Sequence, residues 1–383
     1  MEFYFLFLTH EAVCSRLIRK INLYGHLNGH EGGVFALQFN STGDLLVSGS
    51  ADKQVILWNW ANKTKCLSYP SGHSRSVFQT RIMPFTDDRR IVTSSRDGQV
   101  RLGQVWEDGR VDTKRLGRHL GVVIKLAVEP GSPHILYSCG EDGFVQHFDL
   151  RSSSATKIFR CYSLKENRKQ PPKSIRLNDI VFDQRNPNYV AVGGADEYAR
   201  VYDLRKCQLG ASSNADRLLT TFCPHHLIGN NNVHITGLAY SNTSNLLVSY
   251  NNELIYLFQR SMELGPLPPI SAPQEPHVYL GHRNCLTVKG VNFFGPNDDY
   301  ILSGSDCGHI FVWKKEENDI KLWAPMASDA PPLPENLEEI LESNKEVRED
   351  HSRLTLTLDA IMHIRRLQRQ QRYSRADIES DDE

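Results

Sequence analysis

The residues whose types could bind a metal stand close together as Cys223, His225, His226 and His234. They lack the paired ligand spacing of a zinc site and fall in a connecting loop, so no metal is expected. The sequence contains no G-x-x-x-x-G-K-[ST], G-x-S-x-G or H-E-x-x-H, and no cofactor is expected either. Other histidines and aspartates recur at matching places in a repeated segment: His30, His73, His119 and His282, and Asp52, Asp97, Asp142 and Asp196. Residues repeated in this way serve the architecture, and catalysis by them is not expected. A different chemistry is suggested by Phe148-Asp149-Leu150-Arg151 and Tyr202-Asp203-Leu204-Arg205. The planar fork of an arginine can grip a carboxylate or backbone carbonyls of a partner through two parallel hydrogen bonds. One such arginine could be a solvated rim charge. Two at the same register in successive copies point to docking.

These residues need a scaffold, and its period is legible. The clearest copy runs Gly29-His30, Val34–Phe39, Leu45–Asp52, Val55–Trp58, a pattern of strand, turn, strand, tight turn and strand. It returns as Gly281-His282, Val291–Phe294, Ile301–Ser305, Ile310–Trp313. The place of Trp58 recurs at Gly103, Phe148, Tyr202, Phe258 and Trp313, at spacings of 45, 45, 54, 56 and 55 residues. The shorter spacings match a four-stranded propeller blade, and the longer ones leave room for loops such as Ser163–Ser174 and Met262–Pro276. One such sheet cannot bury both faces alone, so neighbours must cover each other.

Composition agrees with a globular protein: 40% hydrophobic and 23% charged residues, with a net charge of -1 that gives no general hold on a nucleic-acid backbone. Eight cysteines without a C-x-x-C pair suggest a reducing compartment. The apolar run Phe3–Leu8 follows Glu2 rather than a basic residue and is read as non-secretory. No apolar run reaches the roughly 18 residues of a spanning helix, so no membrane association is expected.

The last repeat is irregular. Asp319–Trp323 aligns with Gln54–Trp58 but follows Trp313 too closely for a complete blade between them. It is therefore read as the third strand of a seventh blade, with Ile21–Gly25 as an outer strand and two strands deleted; the alternative is a six-bladed ring, which leaves Asp319–Trp323 unexplained.

The Gly-His and tight-turn Asp positions resemble the WD-repeat family over residues 21–323. The resemblance implies an all-β β-propeller, seven-bladed by ancestry with blade seven incomplete, and a buried His, Asp and Ser/Thr network in each blade. The two Asp-x-Arg segments resemble the W-D-x-R box of cullin-4 RING ubiquitin ligase substrate receptors, with Phe148 and Tyr202 in place of Trp. Segments such as Asn40–Leu46, Phe85–Arg89 and Val288–Gly295 are similar to the plant members of those receptors, the DDB-and-cullin-4-associated factors. That resemblance implies a non-catalytic receptor in nucleus and cytoplasm, with the ligase adaptor and an unnamed protein substrate as partners. Asp149, Arg151, Asp203 and Arg205 would dock the adaptor. The alternative is a general scaffold in a nuclear chromatin or RNA-processing complex.

Residues 1–20 are read as a disordered extension and residues 324–383 as a helical and disordered tail. Glu335–Lys345 places Leu337, Ile340 and Leu341 at helical spacing, and a second helix is expected near Leu358–Tyr373. The arginines of the second helix suit nuclear import better than direct nucleic-acid binding, because stacking aromatics are lacking.

Overall fold

A computed structural model of the chain describes residues 25–152, 155–164, 173–208, 218–265, 275–315, 320–323 and 337–349. All but Gly25 of the expected outer strand Ile21–Gly25, the terminal extension and the helix near 358–373 lie outside the described residues.

Six four-stranded antiparallel sheets account for the repeats. The first is β1 (Val34–Phe39), β2 (Leu45–Ser50), β3 (Gln54–Asn59) and β4 (Thr64–Pro70). The second is β5 (Val77–Ile82), β6 (Arg90–Ser95), β7 (Gln99–Val105) and β8 (Val111–Arg118). The third is β9 (Val123–Val128), β10 (Ile135–Gly140), β11 (Phe144–Asp149) and β12 (Ala155–Arg160). The fourth is β13 (Leu177–Phe182), β14 (Tyr189–Gly194), β15 (Ala199–Asp203) and β16 (Leu218–Phe222). The fifth is β17 (Ile235–Tyr240), β18 (Leu246–Tyr250), β19 (Ile255–Phe258) and β20 (His277–Tyr279). The sixth is β21 (Val291–Phe294), β22 (Tyr300–Gly304), β23 (Ile310–Lys314) and β24 (Ile320–Trp323). Every sheet keeps its strands in chain order, as in a propeller blade. Among the described residues two α-helices are present: α1 (Leu204–Gln208) and α2 (Leu337–Glu349).

The chain divides into two compact units, residues 24–248 with 256–277, and residues 1–23 and 249–255 with 278–383. In the larger unit β1, β5, β9, β13 and β17 stand in succession, each packed on the next. Their side chains stitch neighbouring blades. Gln38 Oε1 accepts from the Ile82 N–H at 2.9 Å, Arg81 Nε donates to the Leu126 carbonyl at 3.2 Å, and Asp179 accepts from the Leu238 N–H at 3.0 Å. The apolar core lies between blades. Val47, Val55, Leu57 and Tyr69 of the first meet Ile82 and Ile91 of the second, and Cys139, Val145 and Phe159 of the third meet Leu177, Ile180 and Val192 of the fourth.

Two register shifts recur in each of the first four blades. One lies between the first and second strands, as at Val34/Ala36 and Val77/Gln79. The other lies between the third and fourth, as at Leu57/Trp58 and Val145/Gln146. Each adds local twist, which lets successive sheets lie against one another like vanes.

In the smaller unit, residues 320–323 correct the expectation of a seventh-blade strand. They form β24, the fourth strand of the sixth blade, with Ile310 opposite Trp323 and Trp313 opposite Ile320. Five residues separate β23 from β24 in sequence, a spacing that favours antiparallel pairing of neighbours, so proximity in sequence overrides the likeness to Gln54–Trp58. The ladders of this blade run without register shifts. Helix α2 reaches the same unit through Asn344, whose Nδ2 donates to the Gly281 carbonyl at 2.7 Å.

Candidate functional site

Two sets of polar residues occupy opposite ends of the blades. Asp142 sits just before β11 and Asp149 at its end, so five residues of strand, at about 3.3 Å each, separate the two sets.

At the first end the histidines close a chain of hydrogen bonds. His30 Nδ1 donates to Asp52 at 2.8 Å, because a carboxylate can only accept. Its Nε2 lies 2.7 Å from Ser48 Oγ, which also receives the Trp58 indole N–H at 2.8 Å. His73 joins Asp97 at 3.1 Å and Thr93 at 2.9 Å. His119 joins Asp142 at 2.9 Å and Ser138 at 2.6 Å. Each aspartate also accepts from two backbone N–H groups, one beside the histidine and one in the tight turn, as Asp97 does from Ser74 and Gln99. Burial pushes the Asp97 carboxyl upward, but the bonds from His73, Gln99 and Ser74 outweigh it and hold it below its ordinary value. His73, His119, Thr93 and Ser138 are buried. The arrangement ties a blade's outer connection to its tight turn.

Blades four and six depart from this pattern. Among the described residues Asp196 meets no histidine. Val192 stands where Ser48 does, and Arg200, 1% exposed in its side chain, reaches back from β15 to Asp196 at 2.5 and 2.8 Å. In blade six His282 is buried with its ring edge-on to Trp313, while the turn aspartate, Asp306, stands one place early, at the register of Ala51. From there it accepts from the backbone of Cys285 and Leu286 and pairs with Lys289.

At the opposite end, Asp149 and Asp203 each hold the arginine two residues on. Arg151 donates its backbone N–H to Asp149 at 2.9 Å and its Nε and Nη2 at 2.9 and 2.8 Å. Arg205 repeats the pattern on Asp203 at 3.0, 3.0 and 2.7 Å. The side-chain and backbone bonds from Arg151 bring the Asp149 carboxyl down to about 2. The arginine side chains are 63% and 59% exposed. Held from one edge by its own aspartate, each guanidinium turns an exposed edge toward solvent, where an outside acceptor can reach it. Arg205 also lies over the Tyr189 ring, and α1, which carries it, packs on β12 of the neighbouring blade.

The structure does not gather the residues considered for metal binding. Cys223 Sγ lies against the Pro224 carbonyl, His226 Nε2 pairs with the Tyr256 hydroxyl, and burial brings the His234 imidazole down to about 4. Among the described residues no group of three or more His, Cys, Asp or Glu is placed to hold a metal. Two features escaped the sequence reading: the Arg200 closure of blade four, and the exposed aromatics Phe85 and Trp106. Phe85, in a turn marked by Asp87-Asp88, carried a weak signal; Arg200 carried none.

Comparison with known proteins agrees with the repeat. The model of the WD domain, G-beta repeat, matches residues 21–59 and 274–314. The chain is 34% identical over 272 residues to Protein ALTERED SEED GERMINATION 2 of Arabidopsis thaliana, covering 63% of this chain and 36% of that protein. It is 32% identical over 249 residues to human DDB1- and CUL4-associated factor 6, covering 63% and 28%. It is 26% identical over 300 residues to human WD and tetratricopeptide repeats protein 1, covering 71% and 42%. The chain thus spans between about a quarter and under half of the length of these relatives. It carries WD40 repeats, and its described residues form an all-β architecture of six blades.

Proposed function

We propose that this chain is a non-catalytic substrate receptor of a cullin-4 RING ubiquitin ligase. It would dock on the adaptor named in one relative, DDB1, and present a bound protein for ubiquitin transfer by other subunits. The observation that carries the reading is the repeated Asp-x-Arg geometry of blades three and four: Arg151 and Arg205 at one register, each oriented by its own aspartate and each largely exposed. Orientation before binding lowers the entropy lost when a partner's carboxylate or carbonyl is gripped. A relative named for association with DDB1 and CUL4 supports the same reading.

The finer likeness of the sequence is to the plant form of the eighth of these associated factors. Descent from a seven-bladed repeat and residence in both nucleus and cytoplasm belong to that proposal. The test is binding of purified DDB1 to the full chain and to the Arg151→Ala, Arg205→Ala variant. The wild type should bind and the variant should lose most of its affinity at unchanged melting temperature. Equal binding by both, or none by the wild type, would remove the assignment and leave the general scaffold as the better reading.

A further inference from the structure

We infer that Phe85 and Trp106, at one end of blade two, form the apolar part of the surface whose charged part is Arg151 and Arg205, and that DDB1 covers both. The inference rests on the docking reading above and extends it to a second kind of contact.

Phe85 lies in the turn between β5 and β6 with φ +56°, and Asp87 and Asp88 follow at +50° and +57°. A bulky side chain in the left-handed region is an outlier, and such strain persists where surrounding bonds enforce it. Here Thr86 Oγ1 donates to the Met83 carbonyl at 2.7 Å, the Arg89 N–H to the Thr86 carbonyl at 3.0 Å, and Asn40 of blade one to Asp88 at 2.8 Å. The outcome of this bracing is a phenylalanine 79% exposed to water, outside the core. Trp106, in the turn between β7 and β8, is 49% exposed, with its indole N–H fixed on Asp112 at 2.8 Å.

Hydrogen bonds join these turns to the arginine register. Arg89 pairs with Glu107 at 2.9 Å, and its carbonyl accepts from the Val105 N–H at 2.8 Å. Arg90 donates to His134 of blade three at 3.5 Å, and the His134 carbonyl accepts from the N–H of Leu150, the residue before Arg151, at 2.9 Å. The phenylalanine, the tryptophan and Arg151 therefore stand on adjoining turns at the same end of adjacent blades. Exposed aromatic residues at the same end as oriented arginines have the composition of interface anchor residues. The matching partner surface is an apolar cleft edged by carboxylates or backbone carbonyls, and continuity with the arginine register assigns it to the adaptor rather than to the substrate.

The test measures DDB1 affinity of the full chain by titration calorimetry alongside its melting temperature. Phe85→Asn keeps a residue that tolerates the left-handed region, so it should fold with unchanged or higher melting temperature and bind about tenfold more weakly or worse. Trp106→Gln should also weaken binding, and it decides alone if Phe85→Asn melts early. Wild-type affinity in both aromatic variants, with loss in the arginine variant, overturns this inference and leaves the docking reading standing. Absence of wild-type binding, or undiminished binding by the arginine variant, overturns both.

Discussion

Tyr69, on the outer strand of blade one, fills the space that a side chain at Gly103 of blade two would need: a Cβ there would stand 2.6 Å from the Tyr69 hydroxyl. Gly103 holds the register of Trp58, so the aromatic that one blade supplies for itself is supplied to the next by its neighbour. Restoring the repeat's own aromatic by Gly103→Trp should therefore destabilise the protein, by about 1–3 kcal/mol or more from overpacking. Urea unfolding of the variant checks it.

The same hydroxyl is buried without a hydrogen-bond partner among the described residues. Tyr69→Phe should raise stability by about 1 kcal/mol, since the variant removes a desolvated polar atom and keeps the ring. A lowered urea midpoint would show that the hydroxyl is satisfied in solution.

Asp97 should shape the acid limb of stability. Its folded value lies below the ordinary 3.8, so the stabilisation is present above about pH 4 and lost as pH falls through the folded value. Asp97→Asn should cost of order 1 kcal/mol at pH 7 and flatten the loss between pH 4 and pH 2. Unfolding midpoints across that range give the comparison.

Arg200 and Asp196 are a buried pair, and removing only one partner strands the other. Arg200→Met should cost about 3–5 kcal/mol, while Arg200→Met combined with Asp196→Ala should recover part of the loss. A double-mutant cycle in denaturant reads the coupling.

Asp203→Ala should weaken DDB1 binding several-fold while leaving Arg205 in place, because the guanidinium loses the carboxylate that orients it. Calorimetry against Arg205→Ala separates lost orientation from a lost contact.

What could be read from the residues alone was whatever repeats or acts over a few positions. The blade unit, the Gly-His and tight-turn Asp places, and the shared register of Arg151 and Arg205 all come from short strands and turns whose chemistry is local. Asp142 bonds to Phe144 and Asp149 to Arg151, each within two residues, so the residue types announce the geometry. Tertiary structure decided the rest. Tyr69 and Gly103 belong to different blades, Arg200 closes a network from an unexpected strand, and Asp306 abandons the pattern through a one-residue offset. The place of Ile320–Trp323 followed from antiparallel pairing beside β23 rather than from its likeness to Gln54–Trp58. Phe85 carried only the weak turn signal of Asp87-Asp88, and its exposure was decided by the backbone that turns it outward. Side-chain period 2 and tight-turn chemistry are written in neighbouring residues, whereas the faces that blades present to one another depend on distant partners and on registers that one residue can shift.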